Sequence, residues 1–345
     1  MRTWGEVEDG HGAGEPGGGP GRHVTRLARR PVAEATMAPG YGAMFNAGVV
    51  HHEGEFHLFA RAVRSGYRRN HGPGDRFVDY NSDIVVLTSA DGLAYRFGYV
   101  LAGAGTDGAQ CFEDPRVQRV SNRGGEQFVM TYTWLPPTGS GLPWRIGAHR
   151  LVWGEGRWWL EEGSGRVLGP EGVPDKDAVV FSLSGGQVAL VHRIYPNMQL
   201  AVFDDLEHLW DPPAGYWEAY MAQLPSHTLL TPSAGALGVG AGAPPVETDA
   251  GLLLFFHERR ADGSYTMNVA LLDPATGQVV SRLPAAVLEP ELEWERQGDV
   301  DKVVFVQGAH RQGDHIYLTY GAADRYVGAA SASVASLLDA LKACA

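Results

Sequence analysis

The 345 residues carry 28 Lys and Arg against 40 Asp and Glu, a net charge of −12, and 44% of them are apolar. That apolar content suffices for a large core and excludes global disorder, while the acidic balance disfavours sequence-independent attraction to nucleic acid or an anionic membrane. Cys111 and Cys344 are too few for a disulfide framework or a Cys-rich zinc site and fit a reducing compartment.

In chain order, residues 1–22 are rich in Gly, Glu and Pro without an apolar period, which predicts a flexible arm. They lack the apolar stretch of a secretory signal, and no apolar run reaches the roughly 18 to 20 residues that span a bilayer, so a soluble, cytoplasmic protein is expected. One domain is predicted over 23–345. Its texture is uniform: runs of four to eight β-branched and aromatic residues such as "GVVHHEGEFHLFARAV", "AVVFSLSGGQVALVHRI" and "KVVFVQGAHRQGDHIYLTYGAA", with turn signals "HEGE", "SGGQ" and "RQGD" between strands. Helical spacing is convincing only at "SASVASLLDALKACA", 331–345. Similar hairpins return about every 50 to 60 residues from Phe45 to Tyr320, which accommodates five four-stranded units. The fold class expected is all-β, a five-bladed β-propeller with a short C-terminal helix; a long β-sandwich is the competitor. The propeller is favoured because motif-bearing segments recur at similar points and would converge on one central pocket.

One such segment is "QCFEDPRV", 110–117. Pro115 restricts the residue before it, so Asp114 is held in one backbone conformation and faces away from Glu113. A positioned acid looks like this, and so does a surface turn. Other chemistries lack their signals: there is no H-E-x-x-H, C-x-x-C or G-x-S-x-G, and "GALGVGAGAPP" lacks the phosphate-loop Lys and reads as a tight loop lining the pocket. No metal is expected despite thirteen histidines.

In order along residues 40–335, the segments "MFNAGVV", "LFARA", "SADG", "FEDPRV", "PDKDAVVF", "LVHRIYPN", "GAGAPPVET", "LLLFFH", "LEPELEWERQGDVDKVVFVQG" and "YGAAD" resemble glycoside hydrolase family 130, the mannoside phosphorylases and β-mannosidases. The resemblance implies a five-bladed propeller that cleaves a β-mannoside with inorganic phosphate, with inversion, to give α-mannose 1-phosphate. It implies no cofactor, phosphate being a co-substrate, and a β-mannosyl oligosaccharide as the other partner. Asp114 matches the general acid, whose proton passes through a mannose hydroxyl in this family. Asn46, Arg61 and Asp324 match positions that hold the sugar, Glu113 and Arg116 are assigned to substrate binding, and so is Asp177, in the pocket of the phosphate-binding positions. Lys176, Arg193 and His257 match the phosphate-binding positions.

Departures from the pattern qualify these matches. Phe256 stands where many relatives have a tyrosine, which implies one missing hydroxyl at the phosphate. "ERRADG" after His257 brings Arg259 or Arg260 towards the acceptor. A further cation is open among Arg145, His149 and Arg150, and Trp134 or Trp144 is a candidate platform for the acceptor sugar.

The chemistry explains the pattern. Inverting hydrolysis needs an acid and a carboxylate base for water, whereas phosphate is already an anion and needs a cationic cradle. The matching positions read Lys, Arg and His, which favours phosphorolysis. An enclosed pocket beside Phe112 is expected to raise the proton affinity of Asp114. Two alternatives stand beside this: a β-mannosidase using Glu258 or Glu295 as base, and a non-catalytic carbohydrate-binding propeller. Linkage and acceptor stay open, and the basic segment "VTRLARR" is a candidate contact for a homo-oligomer.

Overall fold

In five antiparallel sheets, hydrophobic runs that would each expose two apolar faces are buried by stacking around a common axis. The computed structural model describes residues 23–70, 76–122 and 125–344, so the expected arm over 1–22 lies outside the described residues. Each sheet is one blade, numbered here in chain order from the axis outward. Blade 1 comprises Tyr41–His52, Glu55–Arg64, Ser82–Ser89 and Arg96–Ala102. Blade 2 comprises Cys111–Asn122, Gly125–Leu135, Arg145–Gly154 and Arg157–Leu160, with Arg166–Leu168 added on its third strand. Blade 3 comprises Lys176–Ser182, Val188–Arg193, Met198–Phe203 and Thr228–Leu230; blade 4 comprises Ala236–Ala241, Gly251–Arg260, Tyr265–Leu272 and Val279–Arg282. Blade 5 takes Val304–Gln312, His315–Ala322 and Tyr326–Ser333 from the end of the chain and its outermost strand, Val24–Arg26, from the beginning.

That last pairing, Val24 opposite Ala332 and Arg26 opposite Ala330, closes the ring by joining the two ends of the described chain in one blade. It also gives part of "VTRLARR" a role within the molecule. The core is divided among the blade interfaces. Phe59 and Ile84 of blade 1 meet Phe112 and Trp158 of blade 2, Val179 and Leu200 of blade 3 meet Leu254 and Phe256 of blade 4, and the other three interfaces are built alike. Middle strands covered on both sides carry near-continuous apolar runs, which is why "GLLLFFH" shows no alternation.

The expected hairpins form at Glu53–Gly54, at 183–187 and at Gly313–Asp314, and Glu53 and Gly54 both adopt positive φ, as a two-residue turn of this hand requires. The C-terminal helix is shorter than its periodicity suggested. Residues 331–333 remain in strand, Ser333 caps the helix by accepting from the Ser336 N–H, and Val334–Lys342 packs Val334, Leu337 and Leu341 against the blade 4–blade 5 core. Two short helices, Leu206–Trp210 and Tyr216–Ala222, lie between the last two strands of blade 3 and were not expected. Five and seven residues are too few for a period to register, and such helices depend on tertiary packing, here of Leu206, Leu209, Trp210 and Tyr220.

Candidate active site

The innermost strands of blades 1, 2 and 3 each carry a register break at which two residues oppose one on the neighbouring strand. Asn46 and Ala47 oppose Ala60, Asp114 and Pro115 oppose Tyr132, and Asp177 and Ala178 oppose His192. Blade 5 has a related irregularity at Gln307. The first residue of each of the three bulges has positive φ: 46° at Asn46, 54° at Asp114 and 54° at Asp177. Asn and Asp tolerate this region better than other side chains, so backbone and chemistry demand the same residue types. Each bulge re-aims a polar side chain at the axis, and Asp324, φ 53°, joins them from the turn after the second strand of blade 5.

Asn46, Arg61 and Glu113 gather around Asp114. Asn46 Nδ2 donates to Asp114 Oδ1 at 2.7 Å, Arg61 Nη1 donates to the same oxygen at 3.2 Å, and the other Arg61 nitrogen pairs with Glu113. The Arg61 guanidinium stands over the rings of Phe45 and Tyr80, at 4.8 and 5.2 Å. Burial pushes the Asp114 carboxyl up, but Arg61, Lys176, Arg116 and the Asn46 hydrogen bond outweigh it and hold the group below the usual carboxylate range. This corrects the expectation of a raised value: Phe112 lies in the blade 1–blade 2 core, and the acid's own neighbours are cations. Asp324 behaves oppositely, and burial lifts it to about 7.

The cationic residues converge on the blade 3–blade 4 side. Lys176 and Arg193 are cross-strand partners, and Arg193 Nε lies 3.0 Å from Asp177 Oδ2. His257 Nε2 lies 3.3 Å from the same oxygen, and its ring packs against Phe305 with centroids 4.0 Å apart. Burial pushes the Asp177 carboxyl up, yet Arg193, His257 and Lys176 hold it well below the usual range. Asp177, 1% exposed, is therefore a buried counter-charge beside Arg193 and His257, in the same cluster as the residues it was grouped with from the sequence. Arg116 also differs from its assignment. It is 1% exposed and donates to the Gly242, Ala241 and Asp114 carbonyls at 2.7, 2.8 and 3.0 Å, pinning blade 2 to blade 4 across the axis. The "GALGVGAGAPP" segment is accordingly the inner strand of blade 4 and not a loop; a side chain at Gly240 would strike Asp177 and His257.

A cleft of about 890 Å³ opens from Arg61, Glu113 and Lys176 past Tyr80 and Gln110 to Trp144, which is half exposed. Trp144 thus lines the cleft, while Trp134 packs towards the blade 1–blade 2 core. Of the three candidate further cations, Arg150 pairs with Glu207, His149 bonds Tyr132 in the interior, and Arg145 donates to the Leu168 and Gly169 carbonyls. Arg260 pairs with Glu289, and Arg259 is exposed opposite Tyr265. Phe256 alternates away from His257 into the blade 3–blade 4 core. Sequence reasoning missed Phe305 and Tyr265, whose rings lie 4.0 and 6.0 Å from His257. The signal at Phe305, an aromatic among aliphatics in a strand, is shared by core residues, and Tyr265, between Ser264 and Thr266, gives none.

Comparison with known proteins bears on the fold and the family. A family model described as beta-1,4-mannooligosaccharide phosphorylase, glycoside hydrolase family 130, matches residues 27–343. A beta-1,2-mannobiose phosphorylase of Thermoanaerobacter sp. (strain X514) is 32% identical over 320 residues, covering 89% of this chain and 96% of its own. A 1,2-beta-oligomannan phosphorylase of the same organism is 29% identical over 326 residues, with the same coverage. The solved beta-1,2-mannobiose phosphorylase of Listeria innocua, in complex with beta-1,2-mannobiose, superposes with a TM-score of 0.71 at 19% identity, covering 93% of this chain and 99% of that one. With its five closed blades and a family match over nearly the whole described chain, this protein belongs to glycoside hydrolase family 130.

Proposed function

We propose that the chain is an inverting β-mannoside phosphorylase, and that its substrate is a β-1,2-linked mannobiose or short oligomannan. The observation that carries the reading is the pairing of Asp114, held by Asn46 and Arg61, with a Lys176–Arg193 wall on the neighbouring blade. Phosphate held there needs no base: Lys176 acts as a point charge and Arg193 as a planar fork, while Asp114 supplies the proton to the leaving oxygen. The low proton affinity of Asp114 fits this sequence of events. A bound phosphate offsets the positive field of Lys176 that holds the acid down, so Asp114 is protonated most readily when the nucleophile is in place.

The hydrolytic alternative loses its proposed bases. Glu258 accepts from Arg282 and from the Ser233 N–H at 2.6 and 2.7 Å, and Glu295 accepts from Arg26, from Tyr320 and from two backbone N–H groups. The linkage follows the two Thermoanaerobacter relatives, each matched over 89% of this chain, in preference to the 1,4 linkage in the family description.

The test is incubation with β-1,2-, β-1,3- and β-1,4-mannobiose, with and without inorganic phosphate, the products being read by NMR. The expected result is phosphate-dependent release of α-mannose 1-phosphate from the β-1,2 disaccharide. Free mannose released without phosphate would establish hydrolysis instead, and no product at all would favour a binding propeller. Asp114→Asn suits the positive φ and should fold while losing turnover by at least about a hundredfold, the lower range for removing a general acid. Lys176→Ala should raise the phosphate KM far more than the mannoside KM.

A further inference from the structure

Behind the cationic wall, blade 3 holds a buried chain of side chains that touches neither the cleft nor solvent. His192 Nδ1 lies 2.7 Å from Asp175 Oδ2, His192 Nε2 lies 2.9 Å from the Tyr220 hydroxyl, and that hydroxyl lies 3.2 Å from the Leu200 carbonyl. Asp175 and His192 are both 0% exposed. A carboxylate fixed on Nδ1 sets the tautomer and the ring plane, so this imidazole is rigid.

Its position is what gives it a task. His192 is the single residue opposite the Asp177–Ala178 bulge, and its chain neighbour Arg193 is the cross-strand partner of Lys176. The backbone ladder is interrupted between Lys176 and Val179, just where two residues of the cationic wall must be held in register. The His192–Asp175 bond ties the two strand ends together across that interruption. Gln199 ties the same end from the other side, accepting from the Ile194 N–H at 2.7 Å and donating to its carbonyl at 3.1 Å. Asp175 also donates its backbone N–H to the Trp144 carbonyl at 3.2 Å, which links the clip to a residue that lines the cleft.

We infer that Asp175, His192 and Tyr220 form a positioning relay that holds Lys176 and Arg193 at the spacing phosphate requires, a role that rests on the phosphorylase reading of the site. His192→Asn and His192→Gln separate positioning from mere filling of space. Asn places an amide N–H near Nδ1 and keeps the bond to Asp175, whereas Gln places it near Nε2 and loses that bond.

The parent protein is assayed first, with β-1,2-mannobiose and inorganic phosphate; a parent without phosphate dependence overturns the phosphorylase reading and the relay with it. Given a phosphate-dependent parent, His192→Gln should raise the phosphate KM about tenfold, equivalent to about 1.4 kcal/mol, while the mannoside KM stays within about twofold. His192→Asn should restore most of that loss. Tyr220→Phe, which keeps the ring and removes only the hydroxyl, should raise the phosphate KM about threefold, which corresponds to about 0.65 kcal/mol. The relay is refuted if the folded variants leave the phosphate KM unchanged, or if Asn and Gln at 192 behave alike and lose only thermal stability.

Discussion

Burial lifts the Asp324 carboxyl to about 7; Arg61 and Lys176 oppose the rise, and Asp114 and Glu113 reinforce it. A folded-state value above the unfolded 3.8 means that the group's contribution to stability is fully present below that value and is lost as pH rises through about 7. Asp324→Asn is neutral at every pH and is compatible with φ 53°. Relative to the parent, it should therefore gain a few degrees in Tm between pH 5 and pH 8; a gap that stays constant across that window would show that Asp324 does not titrate there. Asn46, Asp114, Asp177 and Asp324 all share this backbone conformation, so replacing them by Ala mixes backbone strain with lost chemistry, and the Asn–Asp exchange is the cleaner probe.

Closure of the ring is the task of a three-residue strand, Val24–Arg26, and its strength comes from one side chain. Arg26 donates to buried Glu295 at 2.7 and 2.8 Å, and Glu295 also accepts from Tyr320 and from the N–H groups of Glu291 and Leu292. Arg26→Ala leaves that carboxylate in the interior without its cation, at a cost of roughly 3–5 kcal/mol in denaturant unfolding. Adding Glu295→Gln should recover part of the loss. If the two changes are additive to within about 0.5 kcal/mol, the closure does not depend on the pair. At this scale the hairpins were legible in the sequence because their turns need Gly at positive φ, whereas the helices 206–210 and 216–222 were not, being shorter than any period could register.

Across the whole molecule the blades meet at the axis almost backbone to backbone. A Cβ on Gly48 would stand 2.7 Å from the Pro115 carbonyl oxygen, and one on Gly308 would stand 2.6 Å from the Val49 nitrogen. Arg116 and Gln307 fill what remains, with Gln307 Nε2 donating to the Pro115 carbonyl at 3.0 Å. Gly308→Ala should push blades 1 and 5 apart at a cost on the order of 1–3 kcal/mol, typical of overpacking. Because Asn46 rides on the displaced strand, kcat/KM should fall together with Tm. A fall in Tm with unchanged kcat/KM would mean that the acid's surroundings are insulated from the axis.

The amino-acid order by itself determined the five repeating hairpin units, and only its resemblance to the family singled out the Asn, Asp, Lys, Arg and His positions proposed for the site. Turn chemistry and strand patterning are local, and the site motifs recur at the same point of successive units. Charge states and partnerships were decided only when the ring closed. Asp177 became a counter-charge, Arg116 an axial pin, Asp114 the carboxylate held down by cations and Asp324 the one pushed up, because each depends on groups brought from other blades. Electrostatic energies at these distances are set by neighbours tens to hundreds of residues away in the chain, and no local pattern encodes them.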